Sequence, residues 1–189
     1  IRGAWQVCRG LPKNIRVIAD KVDSRRFYAV DAVAEILYSS EDGEMTFHAD
    51  TLNLTVKGSN AVMPVLPYEE EIRGRQDRIY ATPGREKDLW IAAYDGLYCS
   101  AASEKFDFRV LDKVRTIYTF GFGKAKPGND YPAIYLMGNQ RQYGFFHFDD
   151  TANSWVRIND DAHQYGLVLH ICGDMQEYGR GIAMGVPAS

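Results

Sequence analysis

The sequence predicts an all-β fold: a partial β-propeller of about three four-stranded antiparallel blades with incomplete blades at both ends. A polar turn running into a strand, Ser40-Glu41-Asp42-Gly43-Glu44-Met45-Thr46-Phe47, recurs in weaker copies along the chain. Short alternating strands return at a spacing of about forty residues, the size of one blade. Helical spacing of apolar residues is nowhere sustained.

The recurring turn reads Ser-x-Asp-x-x-x-Thr-aromatic. Phe148-Asp149-Asp150-Thr151-Ala152-Asn153-Ser154-Trp155 keeps the frame, with the Asp, a hydroxyl and a final aromatic in register. Ser100-Ala101-Ala102-Ser103-Glu104-Lys105-Phe106-Asp107-Phe108 is an eroded copy, one residue longer and with Ala102 at the Asp position. Trp5, followed by Gln6 and Val7, matches the tail of a fourth. A short Asp side chain accepts hydrogen bonds from backbone N–H groups of its own turn, and a hydroxyl two residues earlier assists. The closing aromatic packs between sheets. Ser40, Asp42, Thr46 and Phe47, and Asp150, Ser154 and Trp155, are therefore structural residues of an Asp-box hairpin, not catalytic ones.

Taken in order, residues 1–14 read as the end of a preceding blade. In 15–52, Ile15–Ala19, Arg26–Val30, Glu35–Ser39 and Met45–His48 give the four strands of a blade. Residues 53–77 read as an insertion or long loop: Pro64 and Pro67 bracket an apolar run, and Glu69-Glu70-Glu71 with Arg73, Arg75 and Arg78 make a charged, solvated stretch. Asn53-Leu54-Thr55 matches the glycosylation acceptor pattern, a triplet common by chance. A second blade spans 78–112, with strands at Arg78–Thr82, Asp88–Ala93, Gly96–Ser100 and Phe106–Val110. A third spans 113–158, with Thr116–Phe122, Tyr131–Met137, Tyr143–His147 and Ser154–Ile158. Residues 159–189, with a strand at Leu167–Ile171, form a closing partial blade. Blades pack only on their neighbours, so three of them need company. The chain reads as the carboxy-terminal segment of a longer propeller.

Composition narrows the function classes. A formal net charge of −3 and a pI near 5.8 argue against a nucleic-acid or anionic-membrane surface. No apolar run approaches the roughly 18 residues that span a bilayer. The opening Ile1-Arg2-Gly3-Ala4-Trp5 shows no charged-then-apolar leader. Cys8, Cys99 and Cys172 lack a C-x-x-C spacing, which points to small buried hydrophobes rather than a disulfide framework or zinc site. No cofactor and no metal is expected. His163 and His170 fall on different elements, and Gly121-Phe-Gly-Lys-Ala-Lys-Pro-Gly lacks the spacing and the Gly-Lys-Ser/Thr end of a phosphate loop.

The best functional candidate is the loop Asn159-Asp160-Asp161-Ala162-His163-Gln164-Tyr165. It gathers acid, amide, imidazole and aromatic groups, the mixture that hydrogen-bonds and stacks a sugar. Asp160, Asp161, His163, Gln164 and Tyr165 are the candidate substrate-binding residues; structural bonding between blades is the competing reading. Adjacent carboxylates on a strand point to opposite sides, so the pairing of Asp160 with Asp161 does not make an acid/base couple. Trp90, Tyr94 and Tyr98 suit a blade core better than a sugar platform.

The sequence resembles the carboxy-terminal propeller of glycoside hydrolase family 74, the xyloglucanases and oligoxyloglucan reducing-end-specific cellobiohydrolases. The motifs are Ile18-Ala-Asp-Lys-Val-Asp with Arg26-Phe-Tyr-Ala, Asp88-Leu-Trp-Ile-Ala-Ala-Tyr-Asp-Gly-Leu-Tyr, Gly121-Phe-Gly-Lys-Ala-Lys-Pro-Gly with Tyr131-Pro-Ala-Ile-Tyr-Leu, Trp155-Val-Arg-Ile-Asn-Asp-Asp-Ala-His-Gln-Tyr-Gly, and Gly173-Asp-Met-Gln-Glu-Tyr-Gly-Arg. The resemblance implies a secreted, extracellular enzyme of polysaccharide breakdown, with two seven-bladed propellers gripping a xyloglucan-like β-glucan between them. It implies hydrolysis with inversion, one Asp as general acid and another as general base. The catalytic positions of that pattern lie upstream of Ile1, so no catalytic residue is carried onto this chain. The partners implied are the polysaccharide, the remaining blades and an amino-terminal propeller, with neither nucleic acid nor membrane. A non-catalytic carbohydrate- or protein-binding propeller of the sortilin-like or sialidase-repeat kind is the alternative. A sialidase proper would need an arginine triad and a Tyr/Glu pair, which nothing in the sequence identifies.

Overall fold

In the computed structural model, residues 7–31, 34–43, 45–55, 79–92, 96–100, 106–111, 115–139, 143–149, 154–163 and 168–185 are described. Among them are fifteen strands and no helix. The chain divides into two compact units, one of 1–65, 77–91 and 98–110, the other of 66–76, 92–97 and 111–189.

The first sheet of the first unit is an antiparallel meander: β1 (Ile18–Ala19), β2 (Phe27–Asp31), β3 (Ile36–Ser40) and β4 (His48–Thr51), paired in that order. Tyr28 and Leu37 are buried on one face of the sheet and Ala29 and Tyr38 on the other, so both faces are covered. Two strands start later than the sequence pattern predicts. Ile15 and Val17 pack against the core of Ala29, Tyr38 and Phe47 without joining a ladder. Met45–Phe47 is drawn off by other partners: Asp42 Oδ1 accepts from Met45 N (3.1 Å) and Thr46 N (2.9 Å), while Phe47 N donates to the Arg9 carbonyl (2.9 Å). Pairing with β3 therefore begins at His48. Arg9 and Thr46 form a parallel bridge, which fastens the stretch before residue 15 to this blade.

The second sheet has five strands in the order β5-β9-β8-β7-β6: β5 (Asn53–Thr55), β6 (Ile79–Ala81), β7 (Leu89–Ala92), β8 (Leu97–Ser100) and β9 (Asp107–Leu111). β5, read from sequence as the start of a loose insertion, runs parallel to β9 at the edge. Its three residues alternate, but a run that short marks no strand by itself, and the pairing with its partner's backbone reveals it. Residues 56–78, which hold the rest of that stretch, lie outside the described residues, as does Tyr94. Trp90 and Tyr98 are core, as their pattern predicts. The two sheets of this unit meet where Tyr28 stands edge-on to Phe106, with ring centroids 5.7 Å apart.

In the second unit, β10 (Arg115–Gly123), β11 (Ala133–Asn139), β12 (Tyr143–Asp149) and β13 (Ser154–Arg157) form another four-stranded meander. β14 (Val168–Gly173) and β15 (Gly181–Gly185) form a two-stranded sheet packed on it. Gly121-Phe-Gly explains itself here. A β-carbon on Gly121 would collide with the Ile171 carbonyl oxygen, and one on Gly123 would sit 2.8 Å from Gly173 Cα. The first strands of neighbouring sheets thus approach backbone to backbone, which only glycine allows. Tyr135, Phe145, Val168 and Ile171 fill the core between the sheets, with Tyr178 beside them. Cys172, expected to be buried, is exposed: it alternates with buried Ile171 and faces outward opposite Ile182.

Candidate functional site

Two kinds of aspartate-anchored turn hold the blades. In the Asp42 turn, Ser40 Oγ donates to Asp42 Oδ1 at 2.8 Å beside the Met45 and Thr46 bonds. The Thr46 N–H and the Ser40 hydroxyl hold the Asp42 carboxyl below the usual carboxylate range. Gly43 takes φ 77°, a backbone conformation in which an L side chain would be strained. Phe47 is buried behind the turn. Asp150 lies outside the described residues. Of its turn, Ser154 pairs with Asp149 across the ladder, and Trp155 is buried with its ring 5.1 Å from Phe148.

A second turn, not recognised from the sequence, links β1 to β2, β6 to β7 and β14 to β15. Asp20 N donates to the Arg26 carbonyl (2.9 Å), Thr82 N to that of Asp88 (2.9 Å) and Asp174 N to that of Arg180 (2.8 Å). Asp20 Oδ1 accepts from Val22 N and Asp23 N, and Asp174 Oδ1 from Gln176 N and Glu177 N, the same two positions. The Arg closing the Asp20 and Asp174 turns pairs three residues back, Arg26 with Asp23 and Arg180 with Glu177. The signal was present as Asp-x-x-Asp/Glu-x-x-Arg at 20–26 and 174–180, inside two motifs that the family resemblance rests on. Asp20 goes further: its Oδ2 accepts from the buried Tyr28 hydroxyl (3.0 Å) and from Lys87 N (3.0 Å) of the next sheet. Burial pushes this carboxyl up, but the backbone donors Lys87, Val22 and Asp23 outweigh it and leave it below its ordinary value.

An antiparallel meander sends its first and third turns to one end and its second and fourth to the other. The aspartate turns share one end: Gly43 N donates to the Arg25 carbonyl, and Arg26 pairs with Glu41. The candidate loop follows β13, the fourth strand, and so lies at the opposite end of its blade. There Ile158 N donates to the Phe145 carbonyl, and Asn159 Oδ1 accepts from Phe145 N (2.9 Å) and Arg157 Nε (3.3 Å). Asp160 Oδ1 accepts from His163 N (2.8 Å) and lies 2.6 Å from His163 Nδ1. Those two bonds, the side-chain one foremost, hold the Asp160 carboxyl low. Asp161 Oδ1 accepts from the Arg157 guanidinium at 2.7 Å. The turn thus brings Asp160 and His163 together, anchors itself on β12 through Asn159, and leaves the Asp160, Asp161 and His163 side chains about two-thirds or more exposed. Gln164 and Tyr165 lie outside the described residues. At the same end, at the start of β12, Tyr143 is exposed and accepts a hydrogen bond from Tyr118 (3.2 Å). Among the described residues, no three His, Cys, Asp or Glu side chains gather as a cation would require.

No family model matches this sequence. It is 37% identical over 196 residues to Xyloglucanase Xgh74A of Acetivibrio thermocellus, covering 98% of this chain and 21% of that protein. It is 36% identical over 184 residues to a xyloglucanase of Paenibacillus sp, covering 94% of this chain and 16% of that one. Among solved structures, the GH74 xyloglucanase from Xanthomonas campestris superposes with a TM-score of 0.74 at 29% identity, over 95% of this chain and 24% of its own. The GH74 enzyme of Niastella koreensis gives 0.69 at 27%, over 92% and 24%. The chain spans about a fifth of the length of the curated relatives it matches. Its all-β, four-stranded antiparallel blades are those of a partial propeller.

Proposed function

We propose that this chain, which belongs to glycoside hydrolase family 74, is the carboxy-terminal propeller segment of a secreted enzyme that hydrolyses xyloglucan. The observation that carries the reading is the match to relatives named xyloglucanases, which runs through 98% of the chain rather than through isolated motifs. Reaction chemistry in this reading is inverting hydrolysis of a β-1,4-glucan by two aspartates contributed from outside this segment. A general acid protonates the leaving oxygen, and a general base activates water on the other side of the ring.

The segment's own part is to bind and orient. Its Asp-box turns and its Asp20- and Asp174-type turns fix blade geometry at one end. Asp160, Asp161 and His163 at the other end face the polysaccharide and exchange hydrogen bonds with its hydroxyls. Two facts support that assignment: the exposure of these groups, and the rigidity given by Asn159 and Arg157, which lowers the entropy lost on binding. Gln164 and Tyr165 follow in the sequence as further candidate substrate contacts.

The test is oligosaccharide release from xyloglucan by the full-length polypeptide carrying this segment. Release supports the proposal. Retention on the polymer without release would make the protein a binding propeller instead.

A further inference from the structure

Tyr143 is out of keeping with its strand. Phe145 and Phe146 of β12 are buried, whereas Tyr143 at the strand's start is 53% exposed. Its ring centroid lies 5.6 Å from that of Tyr118 on β10, the planes inclined at 52°, and the two hydroxyls are hydrogen-bonded at 3.2 Å. An exposed tyrosine ordinarily has rotamer freedom. Here a neighbouring ring and a hydroxyl hold it in one orientation. Such a ring offers an apolar face at little entropic loss on binding.

We propose that Tyr143, braced by Tyr118, is a stacking platform for one glucosyl unit of a β-glucan. This rests on the carbohydrate reading above and deepens it. A β-linked glucose ring presents axial C–H bonds on its faces and hydroxyls around its rim. It therefore requires an aromatic plane with polar groups at the side. Both stand at this end of the third blade. Tyr143 supplies the plane. The Asn159–His163 turn, fixed to the same strand through Phe145, carries exposed carboxylate and imidazole groups. Tyr118 acts as a positioning residue: its hydroxyl donates to that of Tyr143, so its loss frees the ring without removing it.

Calorimetric titration of the full-length polypeptide with xyloglucan oligosaccharides tests the platform. Tyr143→Ala should weaken binding about tenfold, and Tyr143→Phe by less than about threefold, since the ring and not the hydroxyl does the stacking. Tyr118→Phe breaks the same hydroxyl contact and should match Tyr143→Phe, whereas Tyr118→Ala, which also removes the bracing ring, should fall between Tyr143→Phe and Tyr143→Ala. In the unaltered polypeptide, saturating oligosaccharide should protect Tyr143 from nitration by tetranitromethane, a readout that needs no variant to fold. Unchanged affinity in a folded Tyr143→Ala, or equal nitration with and without oligosaccharide, overturns the platform and leaves the xyloglucan reading standing. An unaltered polypeptide that neither binds nor cleaves xyloglucan overturns both.

Discussion

Ser40 Oγ donates to Asp42 Oδ1 at 2.8 Å, and the corresponding Ser100 Oγ, fully buried, has no hydrogen-bond partner among the described residues. Two residues after Ser40 the chain has Asp42; two residues after Ser100 it has Ala102. Among the described residues, the eroded copy therefore leaves a buried polar atom uncompensated, which costs about 1–3 kcal/mol.

Ala102→Asp should accordingly stabilise the protein. Restoring the acceptor and its backbone bonds is worth about 1 kcal/mol, a rise of about 2–4 °C in Tm for a chain of this length. Differential scanning calorimetry of the two proteins checks it. An unchanged or lower Tm would mean that Ser100 does not stand in for Ser40.

Gly121→Ala should destabilise by about 3 kcal/mol or more, because its β-carbon meets the Ile171 carbonyl, backbone that has nowhere to yield. Gly128→Ala is the control: nothing lies within 4 Å, and only its φ of 91° counts against it. Denaturant unfolding should separate the two by well over 1 kcal/mol.

Asp20→Ala removes the acceptor of the buried Tyr28 hydroxyl and of three backbone N–H groups, one of them Lys87 in the next sheet. A loss of about 2–4 kcal/mol should follow, with Tyr28 contributing most of it. The double variant Asp20→Ala/Tyr28→Phe should recover part, since it removes the orphaned hydroxyl too. Thermal unfolding of the set measures the coupling.

Acid should unfold this protein through the same groups. Asp20, Asp42, Asp160 and Asp174 all hold their protons less tightly in the folded chain than the ordinary 3.8. Their stabilisation is complete above that value and is lost as pH falls through the lower folded values. Tm should be level from neutral pH to about 5 and then fall, less steeply in Asp20→Asn than in the parent. A parent Tm that did not fall below pH 4 would contradict these carboxylate bonds.

Much of the fold was legible because a blade is a local object. The patterns at Arg26–Val30 and Glu35–Ser39 mark strands, although burial of Tyr28 beside Ala29 and of Leu37 beside Tyr38 covers both faces and not one, and Asp42 announces the turn by its own side-chain chemistry. What escaped the sequence depends on partners distant along the chain. β5 is a strand only because Asp107–Leu111 lies alongside it, and Met45–Phe47 leaves β3 because Arg9 competes for it. The Asp20 turn was readable in principle, but its spacing falls across a strand start and was absorbed into a family motif. The candidate loop showed its residue types in sequence, but not that Asp160 binds His163 and Asp161 binds Arg157. Nor could Tyr143 be told from its buried neighbours, since exposure at a strand's end depends on what crosses there.

The most direct measurement is proton NMR of xyloglucan during digestion by the full-length polypeptide that carries this segment. New reducing ends should appear first as the α-anomer and only later equilibrate, the mark of inversion at a β-1,4 linkage. No new reducing ends, or ends that appear first as the β-anomer, would contradict the account.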